Sequence, residues 1–502
     1  MATELAGYAR LAEDFALPIR QLTSYAQIDS AAKGRTTKTS GYGEILVFEP
    51  RYRPEHTLVG HLQFALKYEG LNLEILACLF EKAGAVEIEA LIAKQPESIF
   101  GRRIGYLYEW LTKREITAEV APHAAYIKVV DEKLQFGMAT GTKNSKFRVI
   151  DNLPGNQRFC ALARKTKYLQ AMVAKNMKQR TVDKLAQYDP ALLSRAAAFL
   201  YLKETHSSFE IERERPSATR AQRFADLLRE AENGISLSEE RFVELQNAIV
   251  DPRFAEFSYR NEQNWVGQDL GHRKKVDFVP PRPEHVRDLM DGLVEFSETI
   301  RANPEYLDPV IAAASLAFGF VFIHPFMDGN GRLHRFLIHD VLSASGFTPK
   351  GIVLPVSAVM LANQAEYVET LEHFSKPLLA LTSFNPEPPG IPANGNDAVY
   401  YRNFDSTDQA SFLYMALERT VEKDLEQEIT FLLGFDTAYK SLKEVLDWPA
   451  HSLDLFIQLV HQNHGILSKT KRQSRFPWMT DEEIKQSEAV VIEAFSQKAQ
   501  KP

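Results

Sequence analysis

The sequence contains little cysteine and no long apolar run. Its 502 residues include two cysteines, Cys78 and Cys160, which are too few for a disulfide framework or a thiolate metal site. No apolar stretch approaches the roughly 20 residues that a membrane-spanning helix needs. The N-terminus lacks the basic start and apolar core of a signal peptide. We therefore expect a cytoplasmic protein that has no membrane partner.

The net charge is mildly acidic, formally −7 at pH 7, so the molecule as a whole is not suited to bind polyanions. One stretch departs from this balance, because residues 141–180 hold ten cations and a single acid, Asp151. The ten are Lys143, Lys146, Arg148, Arg158, Arg164, Lys165, Lys167, Lys175, Lys178 and Arg180. Two interpretations stay open: a surface for nucleic acid or an acidic partner, or a basic face that docks on an acidic neighbouring domain.

The length of the chain predicts two to four domains rather than one core, and we expect a mainly α fold. Changes in the hydrophobic pattern and the positions of glycine and proline divide the chain into five segments. These are an N-terminal α+β domain over 1–115, a basic connecting region over 116–188, a central helical domain over 189–384, a linker over 385–397 and a C-terminal helical domain over 398–502.

The C-terminal domain contains a second basic stretch, residues 463–475. It could be the wing of a winged-helix module, with cationic side chains that contact phosphates. A solvated loop is the alternative.

Local signals locate several elements of the central domain. Asp189 precedes a proline, a pair typical of a helix start, and predicts a helix over 190–214. A capping box that opens with Ser236 predicts another helix. The glycines and aromatics of 257–278 indicate a β-hairpin or loop. The apolar run 308–323 predicts a helix that is buried nearly all round.

The segment from His324 to Arg335 carries several chemically active groups on twelve consecutive residues. The proline after His324 ends the apolar helix, and a second helix begins around residue 330, where glycines let free backbone N–H groups approach a phosphate. Arg332 and Arg335 lie three residues apart on one helical face, suited to a polyphosphate. Asp328 suits a Mg²⁺ that bridges phosphates, and a neutral His324 could take a proton from an attacking hydroxyl.

Each of these residues alone has an ordinary explanation, such as a helix end, a turn, a cap or a solvated face. Their conjunction is specific. It resembles the signature of the Fic family, His-x-Phe-x-(Asp/Glu)-Gly-Asn-Gly-(Lys/Arg)-x-x-Arg, without a departure. The resemblance covers about residues 190–380 and implies a helical Fic core with a β-hairpin flap.

The resemblance implies a role for each residue of the signature. His324 is the general base, Phe326 packs the loop inward, and Asp328 holds Mg²⁺. The nucleotide phosphates are bound by Gly329, Asn330, Gly331, Arg332 and Arg335. A Ser, Thr or Tyr hydroxyl of a target protein, or of the protein itself, then attacks the α-phosphorus of ATP and pyrophosphate leaves. The expected enzyme is a protein adenylyltransferase.

Other activities stay open at this point. Gly331 favours AMP transfer, because the Doc-like kinases of this superfamily resemble the pattern with lysine there. Transfer of UMP or phosphocholine uses a similar loop and is the alternative within the enzyme class. A rival of another class is a DNA-binding regulator that uses the basic stretches and keeps the Fic core as a sensor. The oligomeric state, including a homodimer, is also open.

Residues 257–278 resemble the family's flap, a hairpin over the active site that aligns the target segment by strand addition. Val266 and Gly267 are its expected nucleotide-binding residues. Trp265 is the flap aromatic, with ordinary core packing as the alternative. Tyr367 is a candidate wall of the adenine pocket, and packing in the core is again the alternative.

A second motif precedes the signature. Ser208 to Glu212 resembles the inhibitory motif (Ser/Thr)-x-x-x-Glu-(Gly/Asn), and the i,i+4 spacing puts both residues on one helical face. The resemblance implies that Glu212 pairs with Arg335 in the place of the γ-phosphate. In some self-inhibited relatives the same glutamate also supports AMP removal. Arg213 departs from the pattern, and we expect it to prolong the helix. A solvated helix end at 212–215 is the alternative.

Overall fold

The computed structural model describes residues 3–22, 24–40, 43–271, 273–386, 391–395 and 397–496. Within these ranges the chain forms 21 α-helices and 13 short strands, which confirms the predicted mainly α fold class with an N-terminal α+β part. No helix in the described part of the chain is long and apolar enough to cross a membrane.

The N-terminal part combines a four-stranded sheet with five helices. The strand order is β1-β2-β4-β3, and only β2 and β4 run parallel. In chain order the elements are β1 (Thr3–Ala6), α1 (Gly7–Asp14), β2 (Tyr25–Asp29), β3 (Arg35–Ser40), β4 (Gly43–Phe48), α2 (Leu58–Tyr68), α3 (Leu73–Ala83), α4 (Val86–Lys94) and α5 (Ile99–Thr112). Thr57, Asn72 and Ser98 cap α2, α3 and α5, because their side-chain oxygens accept free backbone N–H groups.

The connecting region has short strands followed by two helices. These are β5 (Ile127–Lys128), β6 (Gln135–Phe136), β7 (Thr142–Asn144), β8 (Val149–Asp151), β9 (Ala163–Arg164), α6 (Lys167–Ala174) and α7 (Met177–Leu185). Five of the ten cations of the basic stretch pair with acids outside it: Lys146 with Glu109, Arg158 with Asp291 and Glu295, Arg164 with Asp405, Lys175 with Glu418, and Arg180 with Glu422. The stretch is thus a basic face docked on acidic neighbours.

The central part is a bundle of helices with two hairpins. Its elements are α8 (Pro190–Ile211), α9 (Ala218–Glu230), α10 (Glu239–Ile249), β10 (Val266–Asp269), β11 (Lys274–Phe278), α11 (Pro283–Ala302), α12 (Pro309–Ile323), α13 (Asn330–Ala344), α14 (Val356–Ala362), α15 (Gln364–Leu379), β12 (Ser383–Asn385) and β13 (Ile391–Asn394). Asp189 caps α8 as predicted. The capping box was predicted two residues too early, since Ser238 and not Ser236 caps α10.

The apolar helix α12 lies at the centre of the bundle. Every residue from Val310 to Ile323 is buried, as its apolar sequence predicts. Helices α11, α13, α16 (Ala398–Arg402) and α17 (Thr407–Arg419) contact it. Because α16 and α17 share this core, the central core extends beyond the linker predicted at 385–397. Residues 387–390 and 396 of that linker lie outside the described residues. The domain boundaries stay predictions.

The chain ends with a helical unit of its own. A π-helical turn, Thr420–Asp424, leads into α18 (Leu425–Val445), followed by α19 (Ala450–Gln462), α20 (Lys469–Arg475) and α21 (Asp481–Ser496). A separate apolar cluster, which includes Phe456, Ile457 and Val460, joins these helices. Part of the second basic stretch forms α20, and no strand follows β13 in the described ranges. The wing, one of the two interpretations open for residues 463–475, is therefore not present, and the stretch is a loop followed by a helix.

Candidate active site

The signature segment forms a helix, a loop and a second helix, as predicted. Helix α12 ends at Ile323, and His324 takes a left-handed conformation with φ of 53°. Gly329, with φ of 92°, precedes α13. Asn330 closes the loop, because its side chain accepts from the Phe326 N–H (3.1 Å) and donates to the Phe326 carbonyl (2.7 Å). The first N–H groups of α13 have no intrahelical partner, an arrangement that can bind an anion.

His324 is held in one orientation by the helix that it follows. Its Nδ1 lies 3.1 Å from the Val321 carbonyl oxygen. A carbonyl only accepts, so Nδ1 carries the proton and Nε2 keeps its lone pair. Burial, with a smaller contribution from the nearby Arg260 guanidinium, lowers the pKa of His324 to about 4. The imidazole is therefore neutral at pH 7, with Nε2 free to accept a proton.

Arg260, which the sequence analysis missed, fixes the backbone around His324. Its side chain is buried and donates to the carbonyls of His324 (2.8 Å), Glu262 (2.9 Å) and Pro281 (2.5 Å), while its own N–H donates to Pro325 (2.8 Å). Burial lowers the pKa of Arg260 to about 10. One guanidinium thus ties the end of α12 to both ends of the flap. The polar residues that follow it, Asn261 and Glu262, give no signal in the sequence that would indicate this role.

Two further contacts missed from the sequence join the flap region to the loop. The Asn264 side chain donates to the Phe326 carbonyl (3.0 Å). The Glu256 carboxylate accepts from the Met327 N–H (2.7 Å), and burial raises its pKa. Both residues bond to loop backbone rather than to side chains. The signature loop is therefore held from outside as well as by its own Asn330.

Arg332 lies buried between two carboxylates. It donates to Glu214 Oε2 and to Asp328 Oδ1, each at 2.8 Å. Arg220 also donates to Glu214 (3.0 Å), and the Arg332 guanidinium lies over the Phe209 ring, 5.2 Å from its centroid. The sequence analysis assigned no role to Glu214. The Glu214 carboxylate binds the Arg332 guanidinium, which would otherwise be free to bind a phosphate group.

Asp328 is the residue that could hold a metal ion. Its side chain is 38% exposed, next to the free N–H groups of α13. Among the described residues there is no group of three His, Cys, Asp or Glu that could enclose a metal. Mg²⁺ is commonly held by one or two carboxylates together with phosphates and water. A single carboxylate beside an anion site fits that donor set.

Arg335 binds the end of α8. It donates to Ser208 Oγ (2.8 Å), to the Ser208 carbonyl (2.7 Å) and to Glu212 Oε1 (2.8 Å). Arg335 is 1% exposed and the Glu212 side chain 36% exposed. The predicted contact between Glu212 and Arg335 is present in the structure, with Ser208 as a second ligand of the same guanidinium.

The contact belongs to a ladder between α8 and α13. Glu204 lies opposite His339 (2.7 Å), Ser208 opposite Arg335, and Glu212 beside Gly331. A Cβ on Gly331 would overlap with the Glu212 carboxylate. The spacing of four residues on both helices puts all three pairs on facing sides of two antiparallel helices.

The expectation that Arg213 prolongs α8 is wrong. The helix ends at Ile211, and Arg213 has φ of 58°. Its N–H donates to the Glu210 carbonyl (2.8 Å), and the Glu214 N–H donates to the Phe209 carbonyl (3.1 Å). These two bonds form a Schellman motif, in which glycine or asparagine is usual at the left-handed position. Here the hydrogen bonds outweigh the helical preference of arginine.

The predicted flap is a hairpin of β10 and β11, with a bulge between Val266 and Gly267. Residue 272 of the predicted flap lies outside the described residues. Val266 and Gly267 are exposed on β10. A Cβ on Gly267 would overlap with the Lys275 carbonyl and lie 2.9 Å from the Trp265 ring. Trp265 is only partly buried, so it packs on the hairpin itself.

Tyr367 lies in the core behind Arg335. It is 4% exposed, and its ring is stacked with His334 (centroids 6.1 Å apart) and tilted against Phe412 (5.6 Å). Burial raises the pKa of its phenol, which the adjacent Arg335 partly offsets. This is the packing that the sequence left open as the alternative to an adenine wall.

Comparisons with known proteins agree with this geometry. The sequence profile of the Fic/DOC family matches residues 236–342, which include the flap and the signature but not α8. Over 73 residues the chain is 40% identical to a protein adenylyltransferase Fic of Nematostella vectensis, covering 14% of this chain and 17% of that protein. A Fic domain containing signaling protein of Bacteroides thetaiotaomicron aligns with 51% of this chain and 95% of that one, at 20% identity and a TM-score of 0.38.

A further relative is matched over most of its length. The chain is 34% identical over 113 residues to a Fido domain-containing protein of Dictyostelium discoideum, covering 22% of this chain and 67% of that protein. By contrast, the chain spans only 17% of the length of the Nematostella adenylyltransferase. The family profile over flap and signature, together with the match to two thirds of the Fido protein, shows that the chain belongs to the Fic/DOC family.

Proposed function

We propose that this protein is a Mg²⁺-ATP-dependent protein adenylyltransferase that is self-inhibited by Glu212. The observation that carries the proposal is the juxtaposition of a neutral histidine, a helix N-terminus with free N–H groups, and two buried arginines. Both arginines contact the protein's own carboxylates, Glu214 and Glu212. The two carboxylates thus lie where the negatively charged phosphates of a bound nucleotide would lie. Relatives named protein adenylyltransferase support AMP as the transferred group.

The chemical step needs positioning and charge neutralisation more than covalent help from the protein. A target hydroxyl of Ser, Thr or Tyr bonds to the α-phosphorus while the bond from that phosphorus to the α–β bridging oxygen breaks. His324 Nε2 takes the hydroxyl proton, and pyrophosphate leaves. Arg332, Arg335 and the N–H groups at Gly331 neutralise the phosphates. Mg²⁺ on Asp328 would neutralise further charge between the phosphates.

Self-inhibition in this proposal follows from competition for Arg335. The Glu212 carboxylate and a γ-phosphate cannot both bind the same face of that guanidinium. ATP must therefore displace Glu212 or bind with its γ-phosphate elsewhere, where transfer does not occur. The same glutamate could orient a water that removes AMP from a modified target, so reversal belongs to the proposal.

The test compares label transfer by wild type and by Glu212→Gly. A charge-assisted hydrogen bond contributes about 1.5–3 kcal/mol. Because the glutamate is 36% exposed, we discount this to about 1.4 kcal/mol, or about tenfold. We expect Glu212→Gly to raise self-AMPylation from α-labelled ATP about tenfold. Glu210→Gly is the matched control, because it places glycine in the same helical turn and leaves Arg335 paired. Equal rates in all three proteins would contradict the inhibition.

The alternative activities are separated by the label donor. In the Glu212→Gly protein, transfer from α-labelled ATP but not from labelled UTP or CDP-choline supports AMPylation. Label that comes only from the γ-phosphate indicates a kinase. No transfer from any donor, with His324→Ala as the inactive reference, would refute the enzymatic proposal altogether.

The DNA-binding alternative has lost part of its basis, because half of the basic stretch 141–180 is paired with acidic residues. A gel shift at low salt tests what remains of it. The cytoplasmic location stays a prediction. The oligomeric state and the target protein can be determined with the same purified protein.

A further inference from the structure

A cavity of about 280 Å³ lies away from the signature, between the N-terminal part, the connecting region and the helices α15 to α17. Its wall includes residues from 8 to 166 and from 373 to 409, none of which falls within the family profile at 236–342. Nothing in the proposed reaction uses it. Its size is just below the roughly 300–1,000 Å³ usual for ligand sites, which suits a molecule as small as one heterocyclic ring system.

The cavity contains an orphaned amide. Asn403 is 5% exposed, and neither its Nδ2 nor its Oδ1 has a hydrogen-bond partner in the described part of the chain. Gln409, 2% exposed, donates to the Thr370 carbonyl (3.2 Å) but leaves Oε1 unpaired. Buried polar groups almost always have partners, since an unpaired one reduces stability. Both residues line the cavity, so a turn of the Asn403 side chain towards it would offer a donor and an acceptor to a bound molecule, with Gln409 Oε1 as a second acceptor nearby.

The backbone explains why Asn403 stays in this place. It follows the last residue of α16, and its flanking residues bond to the connecting region. The Cys160 N–H donates to the Arg402 carbonyl (2.7 Å), and the Leu162 N–H donates to the Phe404 carbonyl (3.3 Å). The backbone that carries the amide is thus held from both sides at the wall of the cavity.

The charged groups of the wall are largely neutralised by one another. Arg20 pairs with Glu74 (2.5 Å) and Arg164 with Asp405 (2.8 Å). The two remaining cations of the wall, Lys133 and Lys165, are matched in number by the carboxylates Glu44 and Asp408. Burial also raises the pKa of Glu69 to about 8, so this carboxyl is mostly uncharged at pH 7. A wall of paired charges does not select for a net charge on its ligand. The ligand that fits is neutral.

We propose that this cavity binds a small neutral molecule with an amide-like edge, in which a hydrogen-bond donor adjoins an acceptor, and that Asn403 pairs with that edge. Nucleobases and aromatic carboxamides share this chemistry, and asparagine pairs with such edges in two-bond fashion. The ligand would contact the N-terminal part and the central bundle at once, at a site separate from that of ATP.

Binding is tested with the full-length protein and defined probes. Uracil and adenine represent nucleobases, and benzamide represents carboxamides. Benzoate has the shape of benzamide but is charged and lacks the donor, so it is the matched negative probe. We expect the melting temperature of the wild type to rise with the concentration of at least one neutral probe and not with benzoate. Calorimetry then gives the dissociation constant.

Asn403→Leu removes the amide at similar volume. We expect binding of the active probe to weaken about tenfold or more, since two hydrogen bonds are lost, while the melting temperature of the free protein stays equal or rises. Asn152→Leu is the control, because Asn152 is equally buried but accepts from the Val130 N–H (2.8 Å). That change should lower the melting temperature. Asn403→Ala repeats the binding test should leucine disturb folding.

Three outcomes would overturn the proposal. No neutral probe shifts the melting temperature of the wild type, which leaves water as the only partner of the amide. A probe binds wild type and Asn403→Leu equally, which places it at another site. Asn403→Leu and Asn152→Leu destabilise the protein equally, which means that the Asn403 amide is satisfied within the fold. None of these readouts depends on AMP transfer.

Discussion

Replacement of Arg213 by glycine tests whether the end of α8 controls activity. Arg213 has φ of 58°, a left-handed conformation that glycine adopts freely and that other residues adopt at a cost. Its side chain is exposed, so its removal loses little packing. The change therefore acts mainly on the backbone of the turn that presents Glu212 to Arg335.

The magnitude follows from the strain that glycine relieves. A residue other than glycine in the left-handed conformation costs about 1–2 kcal/mol, and glycine relieves this strain. Glycine also stabilises the opened state by about 0.5–1 kcal/mol, because it has more conformational freedom there. The net stabilisation of the Schellman turn is then about 0.7 kcal/mol, a factor of about three in the population of an opened helix end. If ATP binds productively only after Glu212 leaves Arg335, basal self-AMPylation falls about threefold.

The assay measures initial rates of self-AMPylation with α-labelled ATP for wild type, Arg213→Gly and Arg213→Ala. Alanine removes the charge but keeps the left-handed strain, so it is the control for electrostatics. We expect Arg213→Ala to resemble wild type and Arg213→Gly to be slower. In a Glu212→Gly background both changes should be without effect, because the contact they modulate is gone.

Two results would refute this reasoning. A fall of the same size in Arg213→Ala would assign the effect to the lost charge rather than to the backbone. A rise in activity with Arg213→Gly would mean that glycine loosens the turn instead of stabilising it. Melting temperatures of the same variants separate either effect from global stability.

Three further predictions concern the site itself. Gly331→Ala should lower the melting temperature of the wild type, because the new Cβ overlaps with the Glu212 carboxylate and reduces the free energy of unfolding by about 1–2 kcal/mol. In the Glu212→Gly background the same change should raise the melting temperature, because alanine favours the helix. A rise in both backgrounds would contradict the close approach. Arg260→Lys should lower kcat about 100-fold with little change in the KM for ATP, because lysine cannot hold several carbonyls around His324; a KM effect alone would contradict that positioning role. Because the pKa of His324 is about 4, kcat/KM of the Glu212→Gly enzyme should fall only when the pH drops through about 4. A fall that begins near pH 6.5 would contradict the assignment of His324 as a base that is neutral at pH 7.

The parts of the fold that the sequence predicts well are those set by neighbours in the chain. The start of α8 at Asp189, the buried α12 and the loop after His324 follow from capping, apolar content and proline. The signature is predictable for the same reason, because its base, its glycines and its arginines lie within twelve residues. The hairpin at 257–278 also follows from local composition.

The parts that it does not predict depend on contacts between distant segments. Arg260 gains its role only because the end of α12 and the flap meet around it. Glu214 is one of several charged residues in a row until folding places it on Arg332. Arg213 was misjudged because its helical preference is a local property, whereas two hydrogen bonds of the folded turn decide its conformation.

The ladder between α8 and α13 shows how such a contact can be both specific and releasable. At its buried end the Glu204 carboxylate bonds to His339 and also accepts from the Ser357 N–H (2.8 Å). This fixes the register of the two helices, since a shift would leave a buried carboxylate unpaired. At its other end Glu212 lies partly exposed in the last turn, where opening costs least. On the proposed mechanism, the opening of this one turn relieves inhibition while the bundle stays intact, and the strained Arg213 lies in that turn.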